Sequence, residues 1–279
     1  MSTNYQLLTP DSTRPIKVID FKVDRIQFFS STLYLLELTP CNQELMLPEC
    51  KPGQFVQVQV PQEGGAFLRR PISIYDVREQ RTLVLLIQSV GKGTKALSKA
   101  QIGDVVNVIL PLGNCFKSPS ELCPSKDKNS IRPLLVGGGV GLAPLLMLGK
   151  SMVTEGIKPT FLVGARSKEL FPDLSEFEKV GELFITTEDE SWGERGVVTD
   201  HSIMMSNPFF DCMYTCGPTP MMKAVTKIAK ERNIPCQVSL ENMMACGLGV
   251  CLCCTEPTVN GYKSVCTDGP VFDSNELMW

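Results

Sequence analysis

Histidine is nearly absent from this chain, because His201 is the only one among 279 residues. A single imidazole excludes chemistry built on histidine pairs, and a Ser-His-Asp hydrolase would need a nucleophile elbow that the sequence lacks. A packed or solvated histidine is therefore expected. An excess of one charge is lacking too: 27 basic and 30 acidic residues leave a net charge of -3, which argues against a nucleic-acid partner.

Long uninterrupted hydrophobic runs are also lacking. The uncharged segment 133–149 contains two prolines and five glycines, which would leave backbone groups unsatisfied in lipid. We expect strand, loop and helix there, and no membrane association. Residues 1–14 have no basic start followed by an apolar stretch, so we expect no signal peptide and a cytoplasmic location.

Apolar periodicity predicts two different architectures. Six alternating or β-rich segments with no convincing helix between most of them predict an antiparallel β-barrel, and the polar stretch 117–130 reads as a linker loop. From residue 134 the apolar residues become continuous and alternate with helical patterns, which predicts a parallel sheet. The expected strands of the barrel are 16–23, 33–38, 54–60, 72–75, 82–88 and 104–110.

The predicted fold class is therefore a multidomain combination of α+β and α/β parts. The expected divisions are a flexible N-terminus (1–14), a β-barrel (15–116), the linker loop (117–130), a nucleotide-binding α/β domain (131–238) and a cysteine-containing domain (239–279).

Four cysteines near the end of the chain form the most specific pattern. Cys246, Cys251, Cys254 and Cys266 stand in the order C-x4-C-x2-C with a distant fourth, which is the ligand spacing of a plant-type 2Fe-2S centre. Glycines between the first two let the loop take positive φ and bring backbone N–H groups close to sulfide. These four residues are the candidate metal ligands.

Two other uses of cysteine fit this pattern less well. Structural zinc usually takes two separated C-x2-C pairs, and only Cys251 and Cys254 form one. Disulfides suit short secreted chains, whereas these 12 cysteines are dispersed through a long one. Cys253 lies between two candidate ligands, but choosing it would change the spacing to C-x6-C-x12-C, so we expect it not to bind.

A glycine-rich turn follows the first strand of the predicted parallel sheet. Small residues between a buried strand and a helix let a pyrophosphate approach backbone N–H groups at the helix N-terminus. Pro144 stands where the usual dinucleotide fingerprint has its third glycine, so a tight turn without a ligand is the alternative. The candidate residues are Gly137, Gly138, Gly139, Val140 and Gly141.

Other turns support a nucleotide site. Cys216, Gly217 and Pro218 follow a strand at the same sheet edge, and Cys216 is a candidate catalytic residue that could face a nicotinamide. In the barrel, Arg70 to Ser73 offer a guanidinium and a hydroxyl, and 91–94 supplies a donor-rich turn. Each of these barrel motifs alone is also an ordinary surface feature.

Taken in chain order, these motifs resemble the ferredoxin-NADP reductase superfamily with a C-terminal 2Fe-2S module. Within it, the segments 241–254 (Glu-Asn-Met-Met-Ala-Cys-Gly-Leu-Gly-Val-Cys-Leu-Cys-Cys) and 266–272 (Cys-Thr-Asp-Gly-Pro-Val-Phe) look like the electron-transfer subunits of type B dihydroorotate dehydrogenases. The likeness covers nearly the whole chain, and these two segments are its specific part.

The resemblance implies FAD in the barrel, NAD at 137–143 and near Cys216, and a 2Fe-2S cluster at the four cysteines. NAD rather than NADP follows from the subfamily alone, because Arg166 and Ser167 do not decide between the two. The implied flavin contacts are Arg70, Pro71, Ile72 and Ser73 along the isoalloxazine and phosphates, Ile87, Gln88 and Ser89 on the adenosine side, and Gly93 and Thr94 on the pyrophosphate.

The resemblance also implies a partner, the FMN-containing catalytic subunit that oxidises dihydroorotate in pyrimidine biosynthesis, in a heterotetramer with two copies of each chain. Electrons would pass from the partner's FMN through the cluster and FAD to NAD+, because a flavin converts single electrons into a hydride. One alternative is a related subunit of a sulfide, sulfite or hydrogenase system. Another is a zinc-stabilised regulator that senses nucleotides without turnover.

Overall fold

The computed structural model describes residues 5–7, 16–61, 66–205 and 210–279. Apart from 5–7, the expected flexible N-terminus (1–14) lies outside the described residues. Strand β1 (Tyr5–Leu7) pairs antiparallel with residues 16–18, an edge strand that the sequence analysis does not predict. Among the described residues, no helix has the length and apolar character needed to cross a membrane.

Six antiparallel strands close into the predicted barrel. Their order is β2-β3-β6-β5-β4-β7, and pairing of β2 with β7 closes the ring. Helix α1 (Lys92–Leu97) connects β6 to β7. The strands are β2 (Ile16–Phe28), β3 (Leu33–Pro40), β4 (Phe55–Val58), β5 (Arg70–Arg78), β6 (Thr82–Gln88) and β7 (Val105–Leu112).

The side chains of strand β3 contribute to two hydrophobic cores, one inside the barrel and one between the barrel and the following domain. Tyr34, Leu36 and Leu38 point into the barrel core, whereas Leu33 and Leu35 belong to a second core shared with the next domain. Successive side chains of a strand point to opposite faces, so a strand that is apolar on both faces is buried on both.

The second half of the chain forms a mostly parallel sheet in the order β11-β10-β9-β8-β12-β13-β16. Helices α3 (Ala143–Thr154) and α4 (Ser175–Val180) cover one face, and α5 (Thr219–Glu231) covers the other. The strands are β8 (Pro133–Gly138), β9 (Thr160–Ala165), β10 (Glu182–Thr187), β11 (Glu194–Arg195), β12 (Cys212–Cys216), β13 (Cys236–Ser239) and β16 (Val271–Asp273).

Helix α3 fixes the sheet to the barrel. The Lys150 ammonium lies 2.8 Å from the buried Asp76 carboxylate of β5.

The expected linker 117–130 contains helix α2 (Pro119–Leu122), whose N-terminus is capped because Ser118 accepts the backbone N–H of Glu121. The segment is thus partly helical rather than entirely loop.

The cysteine segment is not separate from the sheet. After the loop 240–254, strands β14 (Thr255–Thr258) and β15 (Gly261–Ser264) form a hairpin, and β16 then pairs antiparallel with β13. The chain end therefore completes the sheet of the preceding domain. The domain boundaries given above remain predictions.

Candidate functional site

A cavity of about 420 Å³ lies where the barrel, the glycine-rich turn and the cysteine segment meet. It lies at the carboxyl edge of the sheet, where parallel sheets bind ligands. Its lining contains Phe55, Arg70, Pro71, Ile72, Ser73, Leu86, Ile87, Gln88, Val90, Thr94, Val140, Ala143, Leu240, Glu241, Asn242, Met243, Met244 and Pro270. Residues from three separate sequence motifs thus line one cavity.

The Arg70 guanidinium and the turn before α1 form a cradle. A Cβ built at Gly93 would lie 2.5 Å from Arg70 Nε, so only glycine lets the guanidinium lie on this turn. Thr94 Oγ1 accepts the N–H groups of Val90 and Gly91, which holds the turn in shape. Ser89 Oγ is buried and has no partner among the described residues. A guanidinium lying on a glycine turn that opens a helix suits the phosphates of FAD.

Two glycine turns touch at the carboxyl ends of β8 and β12. A Cβ at Gly141 would lie 2.4 Å from the Cys216 carbonyl oxygen and 2.4 Å from Gly217 Cα. Gly139 has φ +55°, and no atom lies within 4 Å of the place its Cβ would take, so this part of the turn is open. An open, glycine-rich strand end before a helix suits the pyrophosphate of NAD.

Cys216 is fully buried, and it does not line the described cavity. Burial raises the pKa of its thiol well above the ordinary value, and the neighbouring Glu241 carboxyl raises it further. Ser239, its register partner on β13, lies beside the thiol and partly opposes this rise in pKa. The thiol is therefore protonated at neutral pH, which suits a positioning role better than nucleophilic attack.

Glu241 lines the cavity, and the sequence analysis assigns it no role of its own. Its side chain is reached by solvent through the cavity, but the enclosing protein raises the pKa of its carboxyl above the ordinary value. Glu241 lies five residues before Cys246, and this closeness to a candidate ligand could have marked it as a site residue. Pro270 lies in the quoted segment 266–272, four residues after Cys266, whereas Phe55 had no such signal, since it reaches the cavity only through the tertiary fold.

The four candidate ligands form two close pairs. Cys246 neighbours Cys251, and Cys254 neighbours Cys266, whose backbone N–H points at Cys254 Sγ at 3.4 Å. Each iron of a 2Fe-2S centre takes two thiolates, so two pairs suit that group. Among the described residues, no group of three His, Cys, Asp or Glu side chains could hold a single metal ion.

Backbone donors surround these sulfurs. Leu248 N–H lies 3.3 Å from Cys246 Sγ, and Gly249 N–H lies 3.1 Å from Cys266 Sγ. Partial burial raises the pKa of Cys246, but N–H donors from Leu248, Cys251 and Val250 outweigh it and bring the pKa to about 7. Gly247 and Gly249 have φ +70° and +77°, the positive values that the sequence analysis expects of this loop.

The comparisons with known proteins agree with this arrangement. Residues 241–278 match the family model for the iron-sulfur cluster binding domain of dihydroorotate dehydrogenase B. The chain is 40% identical over 232 residues (82% of this chain, 87% of the relative) to the dihydroorotate dehydrogenase B (NAD(+)) electron transfer subunit of Caldanaerobacter subterraneus subsp. tengcongensis. It is 39% identical over 241 residues (84% and 89%) to the subunit of the same name from Shouchella clausii.

Solved structures show the same fold. A structure of NADH-dependent reduced ferredoxin-NADP oxidoreductase is 31% identical, with a TM-score of 0.79 over 93% of this chain and 90% of that one. The ferredoxin reductase of carbazole 1,9a-dioxygenase is 19% identical, with a TM-score of 0.65 over 80% and 68%. This second likeness concerns the fold alone.

Proposed function

This chain belongs to the family of dihydroorotate dehydrogenase B (NAD+) electron transfer subunits, and from that premise we propose that it carries electrons from dihydroorotate oxidation in an FMN-containing partner to NAD+. It is an electron-transferring oxidoreductase subunit whose cofactors are FAD, a 2Fe-2S cluster and NAD. When bound, FAD exchanges single electrons with the cluster and a hydride with NAD. The observation that carries the proposal is the one cavity shared by barrel, glycine turn and cysteine segment.

The residues of this chain hold and orient the cofactors. Residues 70–73 of β5 line the flavin ring, and Arg70 with Gly93 and Thr94 holds the pyrophosphate. Ile87, Gln88 and Ser89 lie beside the adenosine. Val140 and Ala143 bring the glycine-rich turn 137–141 to the same cavity, which supports direct contact between nicotinamide and flavin.

NAD binds at the touching turns in this proposal. Gly137 to Gly141 receive the pyrophosphate, and Gly217 and Pro218 border the nicotinamide. Cys216 lies beneath that turn with a protonated thiol, so it packs or donates a hydrogen bond and does not act as a nucleophile.

The subunit works with a catalytic dihydroorotate dehydrogenase partner. We further propose that two copies of each chain assemble into a cytoplasmic heterotetramer. Exposed apolar side chains support a docked partner at the loop 240–254, which we call the cysteine loop. Met243, Val250 and Leu252 of this loop are 85%, 82% and 62% exposed. None of the twelve cysteines, all of which lie in the described part of the chain, is paired in a disulfide, which supports a reducing compartment.

The decisive experiment is purification of the chain with its native partner, followed by an assay of dihydroorotate-dependent NAD+ reduction. We expect a coloured complex that contains FMN, FAD, iron and sulfide and reduces NAD+ only when dihydroorotate is present. A colourless zinc protein would refute the proposal in favour of a regulator.

The likeness to NADH-dependent reduced ferredoxin-NADP oxidoreductase favours one second candidate, a flavin and iron-sulfur subunit of another NAD(P)H-linked complex. In that case the complex would contain the same cofactors in this chain, but a partner inactive with dihydroorotate. The identity of the co-purified partner and its substrate distinguish the two candidates.

A further inference from the structure

Gln57 presents a buried amide without a partner. It lies in β4 with 0% of its surface exposed, and neither Oε1 nor Nε2 has a hydrogen-bond partner among the described residues. A buried polar group without a hydrogen-bond partner destabilises the folded protein. Such groups are rare in native structures and usually bond to water or to a bound group.

This amide packs directly against the cysteine loop. A Cβ built at Gly247 would lie 2.7 Å from both Nε2 and Cγ of Gln57, so the loop passes close over the amide. Gly247 directly follows Cys246, the first candidate iron ligand. A barrel strand thus supplies the wall behind this ligand.

The same strand reaches the flavin cavity. Phe55 lies two residues earlier, on the same face of β4, and lines the cavity. Gln57 is also the register partner of Pro71, a candidate flavin contact on β5. The Gln57 carbonyl accepts a hydrogen bond from Arg69 Nη1 at 3.3 Å, which fixes the backbone from which the amide projects. Gln57 therefore lies between the two cofactor sites.

We propose that Gln57 Nε2 donates a hydrogen bond to an inorganic sulfide of the 2Fe-2S centre beside Cys246, and that this bond raises the reduction potential of the centre. The inference rests on the proposed function, because it presupposes the cluster. The sulfurs are acceptors, so of the two amide atoms only Nε2 can bond to them. A hydrogen bond to sulfur stabilises the reduced, more negative centre, and the potential rises accordingly.

The test is Gln57→Met, which keeps an unbranched side chain of similar length and removes the donor. Redox titration of the complete complex, monitored by EPR, measures the reduction potential of the cluster. At the midpoint potential of the unsubstituted protein, we expect the ratio of reduced to oxidised cluster to fall about two- to tenfold, the span given by one net hydrogen bond.

Gln54→Met is the matched control. Gln54 is also buried, but its amide is fully used inside the protein: Nε2 donates to the Gly113 carbonyl at 3.0 Å and Oε1 accepts from Lys51 N–H at 2.7 Å. Its substitution should lower stability and leave the cluster potential unchanged. A potential that responds to both substitutions equally would refute a specific role for Gln57.

A second measurement detects the hydrogen bond directly in the unsubstituted protein. Pulsed EPR of the reduced unsubstituted protein, with glutamine side chains labelled with 15N, should show nitrogen coupling to the cluster, and Gln57→Met should lack it where it retains the cluster. Absence of this coupling, or a shift confined to the flavin potential, would overturn the inference. An unsubstituted protein without any 2Fe-2S signal would refute the proposed function instead.

Discussion

Among single residues, Cys251 and Cys253 offer a direct test of the ligand assignment. Both side chains are exposed, but Cys251 neighbours Cys246. We expect Cys251→Ser to lose most of the 2Fe-2S centre, because serine replaces a thiolate, and Cys253→Ser to retain it. Iron and sulfide content and visible absorption measure the outcome. Full retention in Cys251→Ser, or loss in both, would contradict the spacing argument.

Gly141 tests the contact between the two glycine turns. A methyl group there would lie 2.4 Å from the Cys216 carbonyl oxygen, so Gly141→Ala must push the turns apart. We expect about 1–3 kcal/mol of lost stability and a higher KM for NADH with normal FAD content. Gly91→Ala is the control for stability alone, because no atom of the described residues lies within 4 Å of its added Cβ and Gly91 lies in the flavin turn rather than in the NAD turn. An unchanged KM in Gly141→Ala would refute the NAD assignment at this turn.

Residues of the candidate site differ in how far sequence could predict them. The cysteines and glycine turns are local patterns with their own chemistry, and the structure gathers their neighbourhoods around one cavity. Gln57 had no local signal, because its burial against Gly247 depends on contact between β4 and a loop far along the chain. Cys216 is buried, and its position facing a nicotinamide stays a prediction.

At the scale of elements, Asn114, which follows β7, hydrogen-bonds the segment 268–271 that leads into β16. Its amide donates to the carbonyls of Asp268 (2.8 Å) and Val271 (2.7 Å), and its Oδ1 accepts from Val271 N–H at 2.9 Å. We expect Asn114→Ala to cost about 2–4 kcal/mol for three bonds and to shorten the lifetime of the cluster. Urea unfolding and the decay of cluster absorbance measure these effects.

Asn114→Asp is the matched variant for this contact. Aspartate can accept from Val271 N–H but cannot donate to the two carbonyls. Its second carboxylate oxygen would face the Asp268 and Val271 carbonyl oxygens, so stability at or below that of Asn114→Ala is expected. A cluster lifetime unaffected by either substitution would show that this contact does not support the cysteine segment.

His201 links the turn 202–205 to β11, and it makes stability depend on pH. Its Nδ1 accepts the Ile203 N–H at 3.0 Å, and its Nε2 lies 3.4 Å from Glu194. Burial lowers the pKa of His201, partly opposed by the Glu194 charge. The unfolded chain therefore binds a proton more readily, so this contribution to stability is present above about pH 6.5 and is lost as pH falls below it.

His201→Asn separates this effect from the titration of the carboxylates. Asparagine can still accept the Ile203 N–H but does not titrate. We expect the urea midpoint to fall less between about pH 7 and pH 5 in this variant than in the unsubstituted protein. An equal fall of the urea midpoint with pH in both proteins would show that His201 does not contribute to the pH dependence of stability.

The barrel strands were predictable from sequence because their apolar alternation is local. Strand β13 and its antiparallel partner β16 were not predicted, since β13 has four residues and β16 has three, and their pairing joins distant segments. The expected boundary at 239 therefore divides two strands of one sheet. Short strands gain their stability from neighbours, which periodicity does not report.

For the whole molecule, the arrangement around the shared cavity predicts that two partial reactions can be measured separately: NADH oxidation by an artificial acceptor, and dihydroorotate-dependent NAD+ reduction. The NAD turn and the barrel meet at this cavity without the four cysteines, whereas electrons from a partner must pass the cysteine loop. We expect Cys251→Ser, in complex with the partner, to keep NADH oxidation by an artificial acceptor and to lose dihydroorotate-dependent NAD+ reduction. Removal of the flavin should abolish both activities. If NADH oxidation instead survived flavin removal and failed in Cys251→Ser, NAD would have to exchange electrons with the cluster side of the chain, and the proposed order of carriers would be wrong.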